Sequence, residues 1–151
     1  MKFNVNQQDI QKSLNYCQGV IEKRSTLPIL SNVLLDVSNS KLTVIATDLD
    51  LIFINIVPNI EIIEEGKTTT SSSIMYDIVR KFSSGNKIQF SSIGENKLHL
   101  ESEKSVFNLN CISAKEFPLT NENFQKNEFS INSKKLLKLL NKCKFSISND
   151  E

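Results

Sequence analysis

One histidine, four glycines and three prolines are all that these 151 residues contain of those types, and the shortages close off several kinds of chemistry. His99 is the only imidazole, and it lies in a strand-like run far from Ser71-Ser72-Ser73, so the logic of a histidine-activated hydroxyl has no partner there. The glycines are dispersed, and no Gly-rich loop is available to wrap a phosphate. Cys17, Cys111 and Cys143 are odd in number, widely spaced and without a Cys-x-x-Cys pair. That set suits buried or half-buried free thiols rather than a disulfide framework or a zinc site, and neither a metal nor a cofactor is expected. No apolar stretch approaches ~18 residues, so no membrane association is expected. The opening Met1-Lys2-Phe3-Asn4-Val5 lacks an apolar secretory segment, which points to a cytoplasmic location. The net charge is only +1, so any contact with nucleic acid has to come from local placement of charge.

What is present begins with an internal repeat. Phe3-Asn4-Val5-Asn6 leads into Gln7 to Cys17, and Phe129-Ser130-Ile131-Asn132 leads into Ser133 to Cys143; at this offset of 126, Phe, Asn, Lys, Leu, Asn and Cys recur at six of fifteen positions. Both copies read as a short strand, a polar residue suited to capping, and a helix with apolar positions three and four apart. Those positions are Ile10, Leu14, Cys17 and Ile21 in the first copy and Leu136, Leu140 and Cys143 in the second. A degenerate third copy lies between them. Lys67 to Thr70 is β-prone, Ser71-Ser72-Ser73 offers a cap, and Ile74, Met75, Ile78, Val79 and Phe82 form an apolar helical face that Ser83-Ser84-Gly85 ends.

Three strands are expected after each of the first two helices: 32–37, 41–47 and 51–57, then 87–92, 97–101 and 105–111. The order β-α-β-β-β thus occurs twice and begins a third time. One helix per four strands buries its apolar stripe against one sheet face. The expected class is therefore α+β, with helices on one side and antiparallel sheets on the other. Residues 1–120 are expected to form one pseudo-symmetric domain and 121–127 a polar linker. Residues 128–151 are expected to begin a second domain, too short to bury a core alone.

Several runs carry a family resemblance: Met1-Lys2-Phe3, Arg24 followed by Thr26-Leu27-Pro28-Ile29-Leu30, the Thr47-Asp48-Leu49 turn, Ser113-Ala114-Lys115-Glu116-Phe117-Pro118, and Phe145 to Glu151. Together they resemble the first domain and the start of the second domain of the bacterial sliding clamps, the beta subunits of DNA polymerase III. The resemblance implies a non-catalytic processivity factor with three such domains per subunit. Two subunits close head to tail around double-stranded DNA, helices lining the hole and sheets outside. It places the pocket for DNA polymerase III and the clamp loader in later domains, and so implies that this chain is a fragment or a truncation without that pocket.

By the same resemblance Arg24 contacts the DNA backbone, with Lys12, Lys23 and Arg80 as weaker candidates and Asn149 in a loop near DNA; Ser73 stands where relatives often carry a basic residue. Solvated helix charges remain the plain alternative for these cations, most of all for Lys12. The subunit interface is expected at Ile74, Ile78 and Phe82 on one helical face and at Phe107 and Leu109 on one strand face, flanked by Lys104. The alternative is that the five apolar residues are core. A DNA role predicts that the solvent-facing side of the helices at 7–21 and 73–82 is more positive than the outer sheet face; a neutral or acidic helix face would count heavily against it. Asp48 and Asp50 with Glu64 and Glu65 are the residues that could suggest a metal or acid-base site, and carboxylates in turns are far more often turn-formers. The competing class is a non-catalytic protein-interaction domain of the same α+β architecture without DNA contact.

Overall fold

A computed structural model describes residues 1–21, 26–94, 96–119 and 129–147. The chain divides into two compact units, Met1–Leu119 and Thr120–Glu151.

The first unit runs β1 (Lys2–Asn6), α1 (Gln7–Cys17), β2 (Asn32–Ser38), β3 (Lys41–Thr47), β4 (Ile52–Val57), β5 (Ile60–Glu64), β6 (Gly66–Ser71), α2 (Ser72–Val79), β7 (Lys87–Ile93), β8 (Lys97–Ser102) and β9 (Ser105–Ile112). The two β-α-β-β-β series are present. The second helix is shorter than the spacing implied, ending at Val79 rather than Phe82, and β5 between the series was not foreseen. Short turns set the register: Asn39 and Ser40 both take positive φ, 49° and 58°, in the two-residue connection of β2 to β3 that such hairpins favour.

All nine strands form one antiparallel sheet in the order β4-β3-β2-β6-β9-β8-β7-β1-β5. Its logic is an exchange: β6, which opens the second series, completes β4-β3-β2, while β1, which opens the first, completes β9-β8-β7. The seam between the halves is short, with Thr69 opposite Ile112 and Thr70 opposite Cys111. There the hydroxyls of Thr69 and Thr70 donate to the carbonyl oxygens of Ile112 (2.7 Å) and Asn110 (3.0 Å). This explains why Thr69 and Thr70 are polar in sequence and yet buried.

Alternation along each strand sends one set of side chains to a single face. Phe3, Val5, Val33, Leu35, Val37, Leu42, Val44, Ile88, Phe90, Leu98 and Leu100 meet Ile10, Leu14, Cys17, Met75 and Val79 from the helices in one continuous core. Phe3 and Phe90 stack across the β1–β7 pair, centroids 4.9 Å apart. Each fully buried aliphatic contributes roughly 1.5–3 kcal/mol, so this face fixes both helices to the same side of the sheet. On the other face a small cluster of Leu34, Ile45 and Phe117 is covered by the segment around a 3₁₀ turn at Ala114–Glu116.

In the second unit, α3 (Ser133–Cys143) is capped by Asn132, whose side-chain oxygen accepts from the backbone N–H groups of Lys134 and Lys135. None of its residues is buried, so Leu136, Leu140 and Cys143, counterparts of three core residues of α1, lie exposed; for Cys143 this departs from the expected burial. The linker assigned to 121–127 lies outside the described residues.

Candidate functional site

Two surfaces of the first unit collect the residues that the sequence singled out. The first is the solvent side of α1 and α2. The helices are joined by polar contacts: Gln7 Nε2 donates to the Val79 carbonyl (3.0 Å) and Gln18 Nε2 to Ser72 Oγ (2.9 Å), while Ser73 Oγ donates to Gln18 Oε1 (3.2 Å). Ser73 therefore ties one helix to the other. Tyr76 OH donates to Asn15 Oδ1 (3.1 Å), which closes a shallow groove lined by Gln8, Gln11, Lys12, Asn15 and Tyr76.

The charge on this surface is sparse. Lys12, Arg80 and Lys81 stand against Asp9 and Asp77, an excess of one positive charge among the described residues. The strands carry Lys2, Lys41, Lys67, Lys87 and Lys97 against Asp36, Glu61, Glu64 and Glu101, again an excess of one. The expected contrast between helix face and sheet is thus absent among the described residues, because α1 uses amides where lysines would have produced it. Arg80 is committed locally, its Nε 3.1 Å from Asp77 and its guanidinium over the Tyr76 ring at 5.9 Å. On the sheet, Lys67 and Lys87 pair with Asp36 (2.8 Å) and Glu61 (3.6 Å). Asn4 and Lys87 hold the Glu61 carboxyl below the ordinary carboxylate range. Lys12 is exposed, with no ion pair among the described residues. Lys23, Arg24 and Asn149 lie outside the described residues.

The second surface is where α2 meets β9. Phe82 and Phe107 pack edge to face with centroids 5.8 Å apart, and with Ile78 they are half-buried against the main core; Leu109 is core. Only Ile74 of this group is largely exposed, at 54%, and it shares a groove of about 390 Å³ with Leu109, Thr70, Ser71 and Asn110. The plain core reading thus describes Leu109 and part of the next three, while Ile74 belongs to the surface. β9 is paired with β8 along its length but meets β6 only through Cys111 and Ile112. Val106 to Leu109 therefore present an open strand edge among the described residues. Lys104 is exposed in the turn before it.

The carboxylates that could have suggested catalysis are turn-formers in part: Asp48 Oδ1 accepts from the backbone N–H groups of Asp50 (3.0 Å) and Leu51 (2.6 Å). Among the described residues no group of His, Cys, Asp and Glu could hold a metal ion, and no helix is long and apolar enough to cross a membrane. Cys17 is fully buried, and desolvation pushes its thiol up to about 12; burial also raises Cys111. What sequence reasoning missed was the amide row at Gln7, Gln11, Asn15 and Gln18; its spacing of three and four was visible, but neutral side chains drew no attention beside the lysines.

The profile of the family described as DNA polymerase III beta subunit, N-terminal domain, matches residues 1–121. The Beta sliding clamp of Caulobacter vibrioides is 32% identical over the whole of this chain, and that of Escherichia coli K12 is 30% identical. The chain spans 41% of the length of these relatives. Among solved structures, Caulobacter crescentus pol III beta superposes with a TM-score of 0.92 at 32% identity, covering 100% of this chain and 40% of that one. The DNA polymerase III subunit beta of Pseudomonas aeruginosa gives 0.91 at 30%, covering 100% and 41%.

Proposed function

The chain belongs to the DNA polymerase III beta-subunit family, and on that premise we propose that it supplies the first part of a ring that encircles duplex DNA and tethers the replicative polymerase. In this reading it is a cytoplasmic processivity factor that catalyses nothing. Residues 1–120 are the N-terminal clamp domain, 121–127 the linker, and 128–151 the opening of the second domain. The repeat at offset 126 and the unit boundary after Leu119 support that division.

The observation that carries the reading is the gathering of both helices of the first unit on one face of a strand-exchanged sheet, in a chain of this family. A ring holds DNA by topology, so its contacts must be weak and indifferent to sequence, which phosphate contacts satisfy. Lys12 is the candidate with its charge uncommitted; Lys23, Arg24 and Asn149 join it, and Arg80 contributes less because Asp77 neutralises it. The open edge of β9, the Ile74–Leu109 groove, Ile78, Phe82, Phe107 and Lys104 form the face that receives a second subunit head to tail. DNA polymerase III and the clamp loader bind through later domains.

The near-neutral helix face favours the second reading, a protein-interaction domain without DNA contact. One experiment separates the two: the full-length protein is loaded onto nicked circular duplex and passed through gel filtration in high salt. Retention that is lost when the circle is cut supports the ring; absence of retention, or retention unchanged by cutting, refutes it.

A further inference from the structure

We propose that the apolar pocket on the outer side of the first unit, between Leu30, Leu49 and Pro118, docks an extended segment of another protein that carries two apolar side chains followed by lysine or arginine. This goes beyond the ring reading and does not depend on it.

Three of the runs that carry the family resemblance meet at this pocket, and neither the helix layer nor the subunit face uses them. Leu27 leads into a 3₁₀ turn at Pro28–Ser31, Leu49 tips the turn between β3 and β4, and Glu116 and Pro118 follow β9. With Ile112 they enclose about 370 Å³. That is near the small end of ligand pockets, ~300–1,000 Å³, and suits a few side chains rather than a folded domain. Leu30 is buried at its base, while Leu27 and Leu49 stand half exposed at its mouth. Ile29 packs against the Leu34, Ile45 and Phe117 cluster, so the pocket opens on the face of the sheet opposite α1 and α2.

The turns that wall it spend their donors internally. The N–H of Leu49 donates to Thr47 Oγ1 (3.0 Å), those of Asp50 and Leu51 to Asp48 Oδ1 (3.0 and 2.6 Å), and that of Leu30 to the Leu27 carbonyl (3.1 Å). A small polar ligand would lose its water there without replacement, so the occupant is apolar. Leu49 adds a second sign. Its φ of 85° lies in a region that is costly for leucine, and glycine would serve the turn without that strain. Half exposed, the Leu49 side chain recovers little of the cost within the chain, and a partner's side chain packed on it supplies the missing burial.

The rim sets the partner's charge. Glu116 lines the pocket, Asp48 and Asp50 flank Leu49, and none of the three has an ion pair among the described residues. Lys115 lines a different cavity. Three uncommitted carboxylates around an apolar hole favour cations beside the anchoring side chains and disfavour anions.

The test titrates the ¹³C-methyl-labelled chain by NMR with three synthetic peptides, each carrying two leucines one, two or three residues apart and then two lysines. With at least one of them, the methyl signals of Leu27, Ile29, Leu30, Leu49 and Ile112 are expected to move together. Glutamates in place of the lysines are expected to weaken binding about two- to fivefold, and Asp50→Lys with Glu116→Lys to reverse that order. Leu49→Gly removes side chain and strain together; it is expected to weaken binding about fivefold or more while thermal unfolding stays within about 5 °C of the parent. Silence with all three peptides, shifts confined to the leucines of α3, equal binding of lysine and glutamate peptides, or parent-like binding by Leu49→Gly overturns the proposal. Concentration-dependent shifts without peptide assign the pocket to a second copy, and Overhauser contacts from its methyls to residues after Leu119 assign it to the chain's own continuation; either overturns it too. None of these outcomes bears on the ring reading.

Discussion

Replacing Leu14 by alanine tests the helix layer at its centre. Leu14 is fully buried in α1, among residues of α1 and both halves of the sheet. Loss of three carbons from such a site costs the transfer of the removed atoms plus a cavity, about 2.7–5 kcal/mol in well-packed cores. The sheet behind α1 is pinned by ladders on both sides and cannot collapse into the gap, which places the expected loss near 3–4 kcal/mol. With a urea slope of roughly 1–3 kcal/mol/M, the unfolding midpoint should fall by about 1–4 M. Circular dichroism during urea titration reads this directly. The repeat supplies its own control: Leu140, the counterpart in α3, is 59% exposed, so the same truncation there should cost less than about 1 kcal/mol. A Leu14→Ala loss under about 1 kcal/mol, or equal losses at the two positions, would refute the packing argument.

Ile74→Arg should leave the fold within about 1 kcal/mol of the parent, since the side chain is largely exposed, and yet abolish head-to-tail pairing of the full-length protein; sedimentation velocity reads the dimer. Gly66→Ala should destabilise by about 1–3 kcal/mol, because a Cβ at that position would lie 2.9 Å from the Met1 Cβ; thermal unfolding checks it. Cys17 gives a pH dependence. Its folded value of about 12 lies above the ordinary 9.0, so the folded state keeps a proton that the unfolded chain loses. Its contribution is whole below pH 9 and drains away between 9 and 12, at up to about 1.4 kcal/mol per pH unit. Cys17→Ala should flatten that part of the stability profile relative to the parent.

Much of the framework was legible because it is periodic. The alternation of Val33, Leu35 and Val37 against Asp36, and the three-four spacing of Ile10, Leu14 and Cys17, report which side faces the core, and the structure places them there. The exchange of β1 and β6 was not legible, since it pairs Phe3 with Phe90 and Leu34 with Thr69 across distances that no local pattern encodes. β5 escaped because Ile63 faces outward while Ile60 and Ile62 pack inward beside Glu61, which blurs the alternation. The face for a second subunit was half legible: Phe82 and Phe107 do meet, but their shared burial with Leu109 shows that one apolar stripe serves core and surface together. On the helix face, the polar positions of α1 are taken largely by the neutral amides Gln7, Gln8, Gln11 and Asn15, which leave Lys12 as its one cation.

On the proposed reading the α1–α2 layer, and not the outer sheet, faces duplex DNA. Photocrosslinkers placed singly at Lys12 and at Ile54 in the full-length ring, loaded on circular duplex, distinguish the two faces. Both positions are exposed, one on α1 and one on the outward side of β4. Crosslinks to DNA from position 12 and none from position 54 are expected. Crosslinks from 54 alone, or equal yields from both, would contradict it.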